Sequence, residues 1–80
     1  MTALELIAIS VGNTRIHIGF FRGDELDRSW DIDLVDRMQA VEVVTQVWKS
    51  CEGSERRAVA LASVNEQLAI ELRSVIEDQL

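Results

Sequence analysis

A short polar turn near the start of the chain has the residue types that bind phosphate. Gly12, Asn13 and Thr14 follow a mostly apolar run, and Gly and Asn tolerate positive φ in turns. Without a Cβ, Gly12 would let a ligand approach the backbone, while the amides of Asn13 and Thr14 and the Thr14 hydroxyl could bind phosphate oxygens. The same turn could be a plain hairpin connection without a ligand. It is not a Walker A loop, which needs a Lys and a following helix.

The other polar residues do not form a catalytic or metal-binding pattern. His17 is the only histidine, and we interpret it as structural or solvated on the strand face opposite Ile16 and Ile18. The aspartates between Asp24 and Asp36 lack the glycine-centred spacing of a calcium loop, so a solvated strand face with a helix cap explains them better. The sequence therefore predicts no catalytic residue and no metal ligand within these 80 residues.

Composition favours a small intracellular domain. The chain has 80 residues, of which 48% are hydrophobic, and a formal net charge of −6. This acidity argues against nucleic acid as a partner, since nucleic acid attracts basic surfaces. The single cysteine, Cys51, cannot form an internal disulfide, and no apolar run approaches 18 residues. A cytoplasmic protein with no membrane span is expected.

The first part of the chain has the periodicity of β-strands. Alternating or continuous apolar residues predict strands over Leu4–Ser10, Arg15–Phe21 and Leu26–Ile32, with Leu26, Trp30 and Ile32 on one face. The turns Val11–Thr14 and Arg22–Glu25 separate them. Three consecutive antiparallel strands form a meander.

Helical spacing begins after these strands. The apolar residues of the first predicted helix recur every three or four positions, at Met38, Val41, Val44, Trp48 and Cys51. Asp33 is the predicted N-cap, and Gly53 the C-terminal stop. Ala58–Ala62 is continuously apolar, as is typical of a strand covered on both faces. Asn65 would cap a last helix, whose buried face would carry Leu68, Leu72, Val75, Ile76 and Leu80.

The predicted fold is α/β with the order β-β-β-α-β-α and a mixed sheet. A helical crossover after the meander makes the fourth strand parallel to one of the first three. Pairing with Leu4–Ser10 would bring the carboxyl ends of both strands to one side of the sheet. Ser10 and Ser63 would then lie near each other, where ligands of open α/β sheets tend to bind.

Three segments resemble the type III pantothenate kinase family. Ile7–Ile16 is similar to the family's opening strand, which ends in Asp-Val-Gly-Asn-Thr, and Val-Gly-Asn-Thr is its most specific part. Gly19–Leu26 resembles the family's second hairpin. Ala62–Val64 is similar to the Ser-Val that precedes a helix there, and Leu68, Leu72 and Arg73 fall in register with that helix. The likeness covers most of the chain.

The resemblance implies an RNase H-like, actin-like ATPase fold, of which residues 1–80 would be the incomplete amino-terminal part. It implies phosphorylation of pantothenate by ATP, the first step towards coenzyme A, in a homodimer that needs Mg²⁺ and a monovalent cation (K⁺ or NH₄⁺). The positions that match the family's ATP phosphate site are Ser10, Val11, Gly12, Asn13, Thr14 and Arg15.

Two departures from the family keep other functions open. Ser10 stands where the family has an aspartate, and a neutral hydroxyl is a poorer partner for Mg²⁺ than a carboxylate. Asn65-Glu66-Gln67 replaces the usual Val-Pro-Pro. The family's pantothenate-binding residues, catalytic base and adenine-binding domain lie beyond position 80, so we expect no kinase activity from this chain alone. A non-catalytic relative with a regulatory or binding role, or a free-standing interaction domain, is the alternative.

Overall fold

The computed structural model describes residues 4–51, 56–64 and 66–79 of the chain. Its elements follow the predicted order: β1 (Glu5–Val11), β2 (Arg15–Arg22), β3 (Glu25–Asp33), a 3₁₀ turn (Leu34–Asp36), α1 (Arg37–Ser50), β4 (Arg57–Ser63) and α2 (Glu66–Gln79). The predicted cap Asn65 and stop Gly53, and the predicted core residue Leu80, lie outside the described residues.

The four strands form one mixed sheet in the order β3-β2-β1-β4. β1 and β2 pair antiparallel, as do β2 and β3. β4 lies beside β1 and parallel to it, with Ala60 opposite Ala8. This confirms the predicted α/β class, the meander and the position of the fourth strand.

Both helices pack on one face of the sheet. Strand residues on that face and the facing helix residues form one core: Ile7, Ile9, Val11, Ile16, Ile18, Phe20, Ile32, Ala40, Val41, Val44, Val47, Cys51, Leu72 and Ile76. Burial of this apolar surface is the main force that holds the sheet and helices together. The helix face predicted for α2 is confirmed at Leu72 and Ile76, with Leu68 and Val75 partly buried.

The first helix differs from its prediction at its start. Asp33 precedes the 3₁₀ turn, α1 begins at Arg37, and Asp36 is its N-cap residue. Met38 is 60% exposed rather than buried. At 3.6 residues per turn, Met38 points about 120° away from Val44, which lies at the centre of the buried stripe. The three-residue spacing from Met38 to Val41 is typical of one helix face. In the structure, however, the other buried residues of α1 lie on the opposite side of Val41 from Met38.

A β-bulge corrects the prediction for the third strand. Phe21 pairs with Leu26, whereas Phe20 pairs with Arg28, so one extra residue lies in β3 between these pairs. Residues of β3 that precede the bulge therefore lie on the opposite face from the one that strict alternation with Trp30 and Ile32 predicts. Leu26 therefore shares the outer face with Phe21 and is 55% exposed, while Trp30 packs against the core.

The outer face of β4 is also more open than predicted. Ala60 and Ala62 are exposed, because among the described residues no helix or strand packs over that face. The continuous apolar run correctly predicted a strand, but not its burial on both faces. The outer face of the sheet is thus an accessible surface in this structure.

Candidate functional site

The turn of residues 12–14 joins β1 to β2 and is fixed at both of its ends. The amide of Gly12 donates to the carbonyl oxygen of Arg15 at 2.8 Å. The carbonyl oxygen of Thr14 accepts a hydrogen bond of 2.9 Å from the amide of Leu34. Because Leu34 starts the 3₁₀ turn after β3, the loop is tied to the far edge of the meander as well as to its own hairpin.

Fixing the loop in this way leaves its tip free to bind a ligand. Asn13 and Thr14 are exposed. Within residues 4–51, neither of them donates its amide N–H to another backbone group. Two successive backbone donors and the Thr14 hydroxyl form a small set of groups that can bind an anion. The arrangement can hold phosphate oxygens without a basic side chain.

The φ angle of Gly12 is not positive, although a glycine could adopt a positive value at this position. Among the described glycines only Gly23 has a positive φ, of 62°. A Cβ on Gly12 would meet the Arg15 carbonyl oxygen at 3.5 Å, an ordinary van der Waals distance. The protein's own conformation therefore does not require glycine at position 12, whereas close approach of a ligand would.

Ser10 and Val11 occupy opposite faces of β1, because successive side chains of a strand alternate. Val11 is 1% exposed and belongs to the core, so only its backbone can reach a ligand. Ser10 is exposed on the outer face, opposite His17. Ser63 pairs with Val11. The two serines therefore lie on adjacent strands as expected, but on different faces of the sheet.

The guanidinium of Arg15 is held by carboxylates. Its Nη1 lies 2.8 Å from Asp31 Oδ2, and its Nε lies 3.8 Å from Asp33 Oδ1. These partners neutralise the positive charge next to the loop. Arg15 thus links the start of β2 to β3. Its guanidinium contacts the carboxylates of β3 rather than the tip of the loop.

His17 has a neighbour that sequence reasoning missed. Its Nδ1 lies 3.4 Å from Asp31 Oδ1, and both side chains are exposed, as expected for a solvated strand face. The sequence gives only indirect evidence that His17 and Asp31 are neighbours. Counting back from the Gly23-Asp24 turn would place His17 opposite Trp30, and the bulge moves it opposite Asp31. Ser10 and His17 both line a groove of about 570 Å³ on the outer face.

Metal coordination is not provided by the part of the chain that the structure describes. No group of three or more His, Cys, Asp or Glu residues there could hold a metal ion. The carboxylates nearest the loop, Asp31 and Asp33, are engaged by Arg15, and Ser10 offers a neutral oxygen. The described residues near the loop therefore offer backbone and hydroxyl donors to an anion, and no cluster of carboxylates to a metal ion.

The fold and the loop define a class: a mixed α/β domain with an exposed Gly-Asn-Thr turn at the end of its first strand. A family model of type III pantothenate kinases matches residues 6–80. The chain belongs to the type III pantothenate kinase family. No curated protein and no solved structure matched it significantly. Among the described helices, none is long and apolar enough to cross a membrane.

Proposed function

We propose that this chain supplies the phosphate-binding hairpin of a type III pantothenate kinase domain, with residues 10–15 beside the phosphates of ATP. The observation that carries the proposal is the fixed loop. The Gly12–Arg15 and Thr14–Leu34 hydrogen bonds hold it, while Asn13 and Thr14 are exposed residues whose amides donate to no backbone group within residues 4–51. Donors that are already positioned bind an anion without a large ordering cost.

Each residue of the loop has a separate role in this proposal. Gly12 lets the phosphates approach the backbone, and Asn13 and Thr14 donate hydrogen bonds to their oxygens. Arg15 is a positioning residue, because its ion pairs with Asp31 and Asp33 fix the hairpin against β3. Ser10 and the backbone of Val11 complete the strand end on which the loop rests.

Family membership supports the wider activity. We propose that residues 1–80 form the amino-terminal part of an actin-like ATPase domain that is cytoplasmic and uses ATP and pantothenate as substrates. Mg²⁺ and a monovalent cation (K⁺ or NH₄⁺) are the ions the family implies, and the described residues do not hold a metal by themselves. The chain alone should lack kinase activity, because the family's pantothenate and adenine sites are formed by positions beyond 80.

Phosphate binding can be tested on the 80-residue chain by two-dimensional ¹H–¹⁵N NMR. Tripolyphosphate and ATP should both shift the amide signals of Asn13 and Thr14, with dissociation constants in the millimolar range. The signals of Gly23 and Asp24 are the internal control, since the second hairpin lies at the other end of the sheet. Uniform shifts, or no shift at the loop, would contradict the proposal. Micromolar affinity for ATP would contradict the view that a second domain supplies most contacts.

A non-catalytic relative with a binding or regulatory role is the second candidate. Ser10 favours it, because the family's aspartate at this position is absent. The two candidates differ in turnover by the complete protein. A kinase should phosphorylate pantothenate when ATP and Mg²⁺ are supplied, whereas a non-catalytic relative should bind ATP without transferring its phosphate. If the loop binds no phosphate at all, a free-standing interaction domain becomes the better description.

A further inference from the structure

A serine, a histidine and an aspartate lie in one row across three neighbouring strands, on the outer face of the sheet. Ser10 of β1 pairs with His17 of β2, and His17 pairs with Asp31 of β3. All three residues are exposed. A nucleophilic hydroxyl, a general base and an orienting carboxylate follow one another in this order in enzymes with an activated serine.

The backbone ladder determines how close each neighbour of His17 can come. The amide of Leu34 donates to the carbonyl oxygen of Thr14, and hydrogen-bonded pairs alternate with non-hydrogen-bonded pairs from there along β2 and β3. His17 and Asp31 are therefore a non-hydrogen-bonded pair, in which side chains lie closest. The backbone groups of His17 point to β1 instead, where Ser10 stands opposite with its Cβ about 5.5 Å from that of the histidine. A serine hydroxyl and an imidazole can hydrogen-bond across this separation.

The carboxylate of Asp31 is shared between two partners. Its Oδ2 lies 2.8 Å from Nη1 of Arg15, and its Oδ1 lies 3.4 Å from Nδ1 of His17. The bond to Arg15 fixes the carboxylate so that its second oxygen faces the imidazole. A negative oxygen beside Nδ1 favours the tautomer that carries the ring proton there. Nε2 then has a free lone pair, and it points away from Asp31 because the two ring nitrogens face in nearly opposite directions.

The row lies next to the loop that carries the phosphate-binding groups. Ser10 precedes Gly12 by two strand positions, a distance of about 7 Å. Ser10 and His17 both line the outer-face groove of about 570 Å³, a size typical of small-molecule sites. A triphosphate held by the amides of Asn13 and Thr14 can therefore extend into this groove and bring its terminal phosphate to the serine.

We propose that Ser10 accepts the terminal phosphoryl group of ATP, so that the chain phosphorylates itself at this residue. Its Oγ forms a bond to the γ-phosphorus, while the bond from that phosphorus to the β,γ-bridging oxygen breaks and ADP leaves with the bonding electrons. The hydroxyl proton moves to Nε2 of His17, the general base, and Asp31 is a positioning residue. This step depends on the proposed function, because the loop must hold the phosphates. It uses only residues of this chain, unlike the phosphorylation of pantothenate.

Phosphorylation would change the charge at a position where the chain departs from its family. Ser10 stands where the family has an aspartate. A phosphoserine carries a charge of about −1.5 to −2 at pH 7 and three strong acceptor oxygens. The modified residue therefore supplies anionic oxygens that the unmodified hydroxyl lacks.

The general base has its own readout in the pH dependence of the reaction. The wild-type rate of phosphate incorporation should rise from acid to neutral pH, because only the neutral imidazole of His17 can accept the proton. The charged groups beside this ring are Asp31 and, through it, Arg15, while β1 presents Ser10. His17→Gln should react about a hundredfold more slowly and with no such rise. An unchanged rate in this variant overturns the role of His17.

The positioning role of Asp31 can be separated from its bond to Arg15. Asp31→Ala should slow incorporation at least about tenfold and move the ring proton of His17 from Nδ1 towards Nε2, which ¹⁵N NMR of the imidazole detects. Asp33→Ala is the matched control, because it removes the other carboxylate of Arg15. It should change neither the rate nor the tautomer. Equal effects of the two variants overturn the role of Asp31.

Mass spectrometry of the 80-residue chain after incubation with Mg²⁺ and millimolar ATP identifies the modified residue. Peptide mapping should find a single phosphate, on Ser10, and Ser10→Ala should remove it. Ser29→Ala is the matched control: Ser29 lines the same groove but pairs with Gly19 rather than with a histidine, so this variant should react like the wild type. The β,γ-imido analogue of ATP should bind without transferring phosphate.

The outcomes distinguish this step from phosphate binding by the loop. If NMR shows ATP at the loop but Ser10 stays unmodified, or if the phosphate is found on Thr14 or Ser29 instead, self-phosphorylation at Ser10 is overturned and the binding role of the loop stands. If ATP does not shift the loop signals and no phosphate is incorporated, both proposals are overturned.

Discussion

Ser10 in β1 stands directly opposite His17 in β2, and both side chains lie on the outer face of the sheet. The carboxylate of Asp31 lies on the far side of His17, 3.4 Å from its Nδ1. The family's strand-end aspartate would place a second carboxylate in this row. Because serine stands at this position, the β1 end of the row carries no acidic side chain.

Ser10→Asp should give the chain a Mg²⁺-dependent component of ATP binding. Oxygen ligands with negative charge are those that Mg²⁺ prefers, and the wild-type hydroxyl is neutral. Isothermal titration with ATP, with and without Mg²⁺, measures the effect. Ser10→Asn is the control, because it has the size of the aspartate but no charge. Equal responses of the two variants to Mg²⁺ would show that the carboxylate is not the missing group.

Two glycine substitutions should separate ligand approach from backbone strain. Gly12→Ala meets only an ordinary contact and no positive φ, so the folded chain should keep its stability or gain up to about 1 kcal/mol. Its phosphate affinity should nevertheless fall, because the new methyl group occupies the approach to the loop. Gly23→Ala should lose about 1 kcal/mol, since its φ of 62° is costly for alanine. Urea unfolding and the NMR phosphate titration provide both measurements.

The order of elements could be predicted because each carried a clear periodicity. Ile16, Ile18 and Phe20 alternate with polar or small residues, and all three are fully buried. The parallel position of β4 beside β1 followed from the crossover and its apolar run. Local patterning and chain connectivity were sufficient for this level of the fold.

The site was less predictable because it depends on register and on distant contacts. One extra residue in β3, between Leu26 and Arg28, places His17 opposite Asp31. No turn motif in the sequence predicts this bulge. The ion pairs of Arg15 follow from the same shift. The hydrogen bond from Leu34 to Thr14 joins residues that are twenty positions apart. Residue types identified the loop, but not the contacts that hold it.

The core should be sensitive to loss of small apolar groups. Val44 is 1% exposed at the centre of the buried face of α1, whereas Val35 is 85% exposed in the preceding turn. Val44→Ala should lower the free energy of unfolding by about 2 kcal/mol through lost burial and a residual cavity. Val35→Ala removes the same atoms and should change stability by less than about 0.5 kcal/mol. Urea unfolding of both variants should show this difference if α1 packs as described.

Cys51 is buried at the end of α1 and close to a carboxylate. Its pKa is raised above the ordinary value of 9.0, first by burial and then by the hydrogen bond and negative charge of Glu5. The Glu5 Oε2 atom is itself buried without a hydrogen-bond partner. Ionisation of the thiol would place a second negative charge beside this carboxylate, in a site with little access to water.

Stability should therefore fall at alkaline pH because of Cys51. The folded chain keeps the thiol proton to higher pH than the unfolded chain does, so its contribution to stability is complete below pH 9.0 and is lost as pH rises through the raised pKa of the folded state. Urea unfolding at a series of alkaline pH values should show the decline. Cys51→Ala should flatten this part of the profile, although it also loses packing at neutral pH. A native thiol that reacts with Ellman's reagent as fast as the thiol of the urea-unfolded chain would contradict the described burial of Cys51.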